Sequence, residues 1–479
     1  MQITREDISS IDKNHMPIPW HSFGEKNDST PIKEASLSEK STIIGRIGFM
    51  LLSCGTGAWR VRSSMNKIAR ELGVTCSADI GLVSIEYTCL EGGESYSQVL
   101  TLTGTGVNTA KLARIEQFVL DFSEKYSHLS IEELHKKLDE QEKIKSGYKP
   151  LTLGLAAGFA CSGFTLLLGG GPIEMLCAFL GAGIGNYLRV QLIHRKYTLA
   201  LQVVAGVAAA CLGYTALLRM LELVFGVSAN HEAGYICAML FIIPGFPFIT
   251  SGIDLAKLDL RSGIERFTYA ALIILTSTLT GWILAVTLQL KPGDFQPLGL
   301  SVGILACFRF LASFCGVFGF SIMFSSSVKM ASMAGVIGAI ANTLRLELID
   351  LIGIPPAAAA FACAFLAGIL ASLLKPSYGY PRISITVPSI VIMVPGMYLY
   401  KAIYNMGTGT IMDASHWFTE AVLIMAALPL GLIFARIFTD QILPGHNMHW
   451  LEMLLVAMLF TAIFRMIVGI RSRQKIYMK

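Results

Sequence analysis

Charge is scarce in this sequence. Asp, Glu, Lys and Arg make up 15% of its 479 residues and hydrophobic residues 53%, where an ordinary globular protein is about 25% charged. So large a shortage argues against a single soluble enzyme. It is also local: residues 1–149 hold 38 charged side chains, and the longer remainder holds only 33. A soluble segment is joined to a membrane-like one. Disordered, coiled-coil and disulfide-scaffold classes are excluded on composition.

Other features are missing altogether. No basic block of the kind that binds nucleic acid is present, and the net charge is only +5. The ten cysteines form no C-x-x-C pair, so they read as small buried hydrophobes rather than zinc or redox ligands. The polar start, Met1 to Lys40, lacks the early apolar run of a signal peptide. There is no G-x-x-x-x-G-K-[ST], no second His after His231-Glu232 at metalloprotease spacing, and no G-x-S-x-G. Gly104-Thr-Gly106-Val-Asn108 is half of a dinucleotide loop without its third glycine or acidic partner, and reads as a turn. No enzyme, cofactor or metal follows from these patterns.

What is present divides at Pro150. Residues 1–41 read as a flexible leader. Residues 42–149 read as an α+β domain: a helix over 42–74, strands over 79–90 and 95–103 joined at Glu91-Gly92-Gly93-Glu94, a helix capped by Asn108, and another opened by a Ser130/Glu133 capping box. Beyond Pro150, apolar runs of about 20 residues recur, enough to cross a hydrocarbon core of about 30 Å. Spans are expected near 151–169, 174–190, 199–222, 234–253, 267–290, 298–322, 332–351, 356–374, 384–403 and 418–437. An eleventh apolar run covers 450–470 in a C-terminal segment, 441–479, that ends in a basic tail. The runs do not alternate polar and apolar, so a β-barrel is excluded.

With the α+β domain in the cytoplasm, inside ends and loops hold Arg189, Arg195, Lys196, Lys257, Arg261, Arg266, Lys329, Lys375, Arg382 and Arg436, and outside loops hold only Lys291 and Lys401. That asymmetry fits the positive-inside rule. An eleventh full span would put Arg471, Arg473, Lys475 and Lys479 outside, so either that run lies on the surface or one span is re-entrant.

The membrane part repeats itself. Asn186-Tyr-Leu-Arg189 returns 156 residues later as Asn342-Thr-Leu-Arg345, and Pro244-Gly245 returns 151 residues later as Pro395-Gly396. Residues 150–290 and 297–440 are therefore expected to be two related five-helix repeats. If every span crosses, an odd unit is inverted in its second copy, a common transporter plan with its site at the repeat interface. The Pro-Gly pairs fall mid-span. They deprive the Leu240, Ile243 and Val391 carbonyls of helical donors, and they expose half-helix N-termini that suit a carboxylate. Ionisable groups in spans are costly and mark pathways. Among them Asp254 is the candidate for proton coupling, Asn186 and Asn342 for amide hydrogen bonds to substrate, and Arg189 and Arg345 for pairing with acidic groups near opposite faces.

Several of these runs resemble the threonine/serine exporter family. They are Pro244-Gly-Phe-Pro-Phe-Ile-Thr-Ser-Gly-Ile-Asp254 with Ser262-Gly-Ile-Glu-Arg266, Gly55-Thr-Gly57-Ala-Trp-Arg60, Gly319 to Phe324, Gly335-Val-Ile-Gly338, and Val394-Pro-Gly396 with Tyr400. The resemblance covers about residues 42–440, with both halves fused in one chain, and departs at Glu265, where the family pattern carries Ala. It implies an inner-membrane, proton-motive-force-dependent exporter of threonine and serine, or of a dicarboxylate such as succinate as in split members. The expected partners are a small carboxylate-bearing solute, protons and the bilayer, with a homo-oligomer left open. A receptor or enzyme acting through the cytoplasmic domain, and a channel, are the rival readings.

Overall fold

The computed structural model describes residues 18–22, 30–144, 147–227, 229–290, 293, 295 and 298–442. The apolar run at 450–470, the basic tail and Lys291 lie outside the described residues.

The N-terminal domain is built around α1 (Leu37–Leu52), which is buried along nearly its whole length. Around it stand α2 (Ala58–Glu71), a sheet of β1 (Thr75–Ile80), β2 (Ser84–Glu91) and β3 (Glu94–Thr101), then α3 (Thr109–Asp121) and α4 (Ile131–Lys143). The strands are antiparallel in the order β1-β2-β3. Gly92 and Gly93 make the β2–β3 turn with φ of 59° and 89°, the doubly positive geometry that a tight hairpin needs. Asn108 and the Ser130/Glu133 capping box start α3 and α4 as expected.

Three local expectations change. The helix over 42–74 is two helices, because Gly55 turns at φ 75° and the chain restarts at Ala58. The strand over 79–90 is the end of β1, a turn at 81–83, and β2. The domain also begins before residue 42: Ile32 is fully buried and its N–H donates to the Leu129 carbonyl (2.9 Å).

Sixteen helices in all are described. The membrane unit comprises α5 (Pro150–Leu167), α6 (Pro172–His194), α7 (Leu199–Phe225), α8 (Tyr235–Met239), α9 (Gly245–Ala256), α10 (Leu260–Thr287), α11 (Val302–Met323), α12 (Val328–Ile352), α13 (Pro356–Tyr378), α14 (Ile383–Val391), α15 (Gly396–Thr408) and α16 (Ile411–Ile437). Among the described residues, seven helices are long and apolar enough to cross a membrane, or nine if the bent pairs His231–Ile242 with Gly245–Ala256 and Ile383–Val391 with Gly396–Thr408 each count as one span. α12 is as long but carries Arg345, Glu347 and Asp350. Exposed large apolar side chains on α5, α6, α7, α10, α11 and α16 form an outer surface suited to lipid.

The two bent pairs reach across to each other's half. α9 packs on α10 and also on α16, and α15 packs on α16 and also on α10. Phe246 and Ile249 of α9 belong to the core formed by α11–α14 and α16, while Tyr400 of α15 belongs to the core formed by α5–α8 and α10. The pairs also run in opposite senses relative to the N-terminal domain. α9 meets that domain with its C-terminal end, through Asp254, and α14 meets it with its N-terminal end, through Ile383.

Candidate functional site

Both bends are built the same way. Pro244 sits at φ −81°, ψ 61° and Pro395 at φ −81°, ψ 53°. In each, the following glycine N–H donates back two residues, Gly245 to the Ile243 carbonyl and Gly396 to the Val394 carbonyl, both at 2.8 Å. This is an inverse γ-turn centred on proline. The carbonyls that proline deprives are satisfied locally: Leu240 accepts from Ile243 N–H (3.1 Å), and Val391 from Val394 N–H (3.2 Å). Backbone that leaves the helix at membrane depth must be satisfied in this way or face protein.

The bends face each other. A Cβ on Gly245 would overlap the Val391 side chain, and one on Gly396 would come within 3.1 Å of Ile243 and Leu240. Close approach requires glycine at 245, and at 396 a side chain would be tight against the first bend. The hydroxyls of Tyr235 on α8 and Tyr400 on α15 share a hydrogen bond of 2.6 Å across the same junction. Beside the bends lies a cavity of about 350 Å³, lined by Leu240 and Ile243 from the first and by Val391 to Tyr398 from the second, together with Phe164, Phe320, Arg309, Arg345 and Asp350. The N-terminus of α15 opens on it through Pro395, Gly396 and Met397.

Arg345 is the cationic wall of that cavity. Its Nε donates to Asn342 Oδ1 (3.0 Å), whose own amide donates to the Ser313 hydroxyl (2.9 Å), so the guanidinium is aimed by a chain reaching from α12 to α11. Arg345 has no ion pair among the described residues. The nearby carboxylates are taken by Arg309, which pairs with Glu347 (2.9 Å) and with Asp350. Asn186 instead braces α6 to α5, donating to the Leu153 carbonyl (2.8 Å). Arg189 lies near Tyr269 with its Nε unbonded, away from this cavity. Of the nine residues expected at the pathway, Arg345, Pro395 and Gly396 line the cavity. Pro244, Gly245 and Asn342 support it, Asn186 and Arg189 stand in the α5–α7 layer, and Asp254 lies elsewhere.

Asp254 is fully buried where the membrane unit meets the N-terminal domain. Its Oδ2 is ion-paired with Arg266 Nε (3.2 Å), whose N–H donates to the Ser262 hydroxyl (3.0 Å), and it accepts from that hydroxyl (2.9 Å) and from the Ala58 N–H (3.2 Å). The last contact caps α2 from another part of the chain, where its own N-cap, Gly57, has no side chain to do so. Arg266 also donates to the Gly55 (3.2 Å) and Thr56 (2.6 Å) carbonyls. The clamp thus grips one loop by both its acceptors and its donor, and a Cβ on Gly57 would fall 2.6 Å from Asp254 Oδ1. Around it, Glu265 accepts from the Leu82 N–H (2.6 Å), Arg62 pairs with Asp259 (2.5 Å), and Arg261 pairs with Asp79 (2.5 Å) and Glu86 (2.8 Å). Ser262, Glu265 and Arg266 were visible as a motif, but spacing alone does not reveal that their partner is a loop some 200 residues earlier.

Residues 42–289 match the family model described as "Putative threonine/serine exporter", and residues 309–438 match the companion model described as "Threonine/Serine exporter, ThrE". Two curated relatives are each named "Probable succinate transporter subunit YjjP". The one from Klebsiella aerogenes is 26% identical over 50% of this chain and 89% of its own length, and the one from Escherichia coli is 22% identical over 50% and 91%. No solved structure matches.

Proposed function

The chain belongs to the threonine/serine exporter family, and from that premise we propose that it is a secondary exporter of small amino acids such as threonine and serine, driven by the proton motive force across the inner membrane. The α+β domain lies on the cytoplasmic side, as the loop charges favour. The two halves are inverted repeats that rock about the facing bends. The observation that carries the reading is the cavity between the bends, with Arg345 unneutralised beside the N-terminus of α15.

A substrate carboxylate binds between the Arg345 guanidinium and the N-terminal end of α15, where charge and dipole act together. The apolar walls from Ile243, Val391 and Phe320 admit a short aliphatic side chain. Asp254 couples the proton. Protonation removes its charge from Arg266 and weakens its cap on α2, so the loop at Gly55–Ala58 loosens as the proton arrives.

A second reading, export of a dicarboxylate such as succinate, is favoured by the names of the curated relatives. Counterflow in proteoliposomes, with a panel of amino acids and dicarboxylates and with or without a proton gradient, separates the two. Saturable threonine or serine exchange accelerated by the gradient supports the first. Exchange restricted to dicarboxylates supports the second, and gradient-independent leak of all of them points to a channel.

A further inference from the structure

A pair of further cavities lies between the N-terminal domain and the membrane unit, away from the bends. The inner chamber, about 360 Å³, is bounded by Trp59, Arg60, Asp254, Lys257, Arg382 and Arg436. The outer, about 410 Å³, shares Trp59, Arg60, Arg382 and Arg436 with it and adds Lys67 and Arg70. The Trp59 ring is held between two cations, with Lys257 Nζ at 3.6 Å and the Arg436 guanidinium at 4.3 Å from its centroid.

The cations outnumber the acids. Arg60 is paired with Glu116. Asp440 is shared by Arg382 (2.6 Å) and Arg436 (3.1 Å), and Asp254 is spent on Arg266. Lys257 has no carboxylate partner among the described residues. Two positive charges remain uncompensated in the inner chamber, one from the shared Asp440 and one from Lys257. Lys257 stands in the loop after α9. Burial, then the Arg436 and Arg60 charges, lower its pKa to about 8, against the opposing pull of Asp254 and Asp259. A cationic cleft with low-dielectric walls concentrates anions from solution.

We propose that this cleft binds a small dianion, a dicarboxylate or hydrogen phosphate, in the inner chamber among Lys257, Arg382 and Arg436 with Trp59 as its wall. Because Trp59 and Arg60 belong to α2 and the other groups to the membrane unit, the bound anion bridges the two units and holds the domain docked. The site is separate from the central cavity and does not depend on what that cavity carries.

The test is the intrinsic tryptophan fluorescence of the full chain in phosphatidylcholine nanodiscs, titrated with succinate, hydrogen phosphate or acetate at constant ionic strength. A saturable change with either dianion, absent in Trp59→Phe and about tenfold weaker in Lys257→Gln, is the expected result. The dianion that binds more tightly identifies the source, and acetate should compete poorly. In the unmodified protein, succinate affinity should also fall as pH rises through about 8, since Lys257 is then discharged while succinate stays doubly ionised. This second measurement decides the matter if the variant does not fold. No saturable change with either dianion, an equal response to acetate, or a pH-independent affinity would overturn the proposal.

Discussion

At the scale of single residues, the polar groups of the membrane unit divide by what they touch. Asn186 and Asn342 occupy matching places in the sequence pattern, yet only Asn342 reaches the central cavity, through Arg345. Asp254 was legible as an unusual carboxylate after a helix break. Its partners were not, because residues 55–58 lie about 200 positions away and nothing in local spacing encodes that docking. In the account above, Asp254→Asn leaves counterflow of threonine measurable but abolishes its acceleration by a proton gradient. Unchanged gradient-driven export from proteoliposomes carrying this variant would sink the coupling role. His135 gives a stability prediction. Burial, then the neighbouring Arg46 and His21 charges, hold its pKa near 3, against about 6.5 in an unfolded chain. The folded domain keeps it neutral where the unfolded chain would protonate it, so stability is lost as pH falls from about 6.5 towards 3. Melting curves of the detergent-solubilised protein should show this acid limb, flattened in His135→Gln; identical limbs would refute it.

At the scale of elements, the membrane helices were readable because apolar runs of spanning length are a strong signal, and the Pro-Gly pairs marked both bends. What the pattern hid was the cross-reach of the half-helices, in which Phe246 and Ile249 of α9 enter one core and Tyr400 of α15 the other. The merged strand over 79–90 has a related cause. The turn at Gly81-Leu82-Val83 is apolar because it docks against the start of α10, where Glu265 accepts the Leu82 N–H. A turn docked in this way, with Gly81 buried and Leu82 and Val83 half-buried, lacks the polar residues that usually announce one. The facing bends lead to a direct prediction. Gly245→Ala forces a methyl against Val391 and should cost about 1–3 kcal/mol of stability, as overpacking does, while slowing transport. Alanine at the open Gly409 should do neither beyond the strain of its positive φ. A Gly245→Ala protein with unaltered melting temperature and export rate would contradict the close approach.

At the scale of the whole molecule, the scarcity of charge acquires a layout. Few ionisable groups sit in the membrane unit: Arg309 is paired with Glu347, Arg345 stands at the central cavity, and Arg189 lies near Tyr269 with its Nε unbonded. Many others gather where the two units meet, in the Asp254–Arg266 clamp, the Arg261 and Arg62 bridges and the Trp59 cleft. On the proposed reading, carboxylate-bearing solutes cross at the cavity between the bends. The most direct measurement is the concentration dependence of threonine counterflow in proteoliposomes, for the unmodified protein and Arg345→Gln side by side. Loss of a charge-assisted contact of about 1.5–3 kcal/mol predicts a KM raised by about tenfold or more. A variant that inserts normally and exchanges threonine with unchanged KM would contradict the claim.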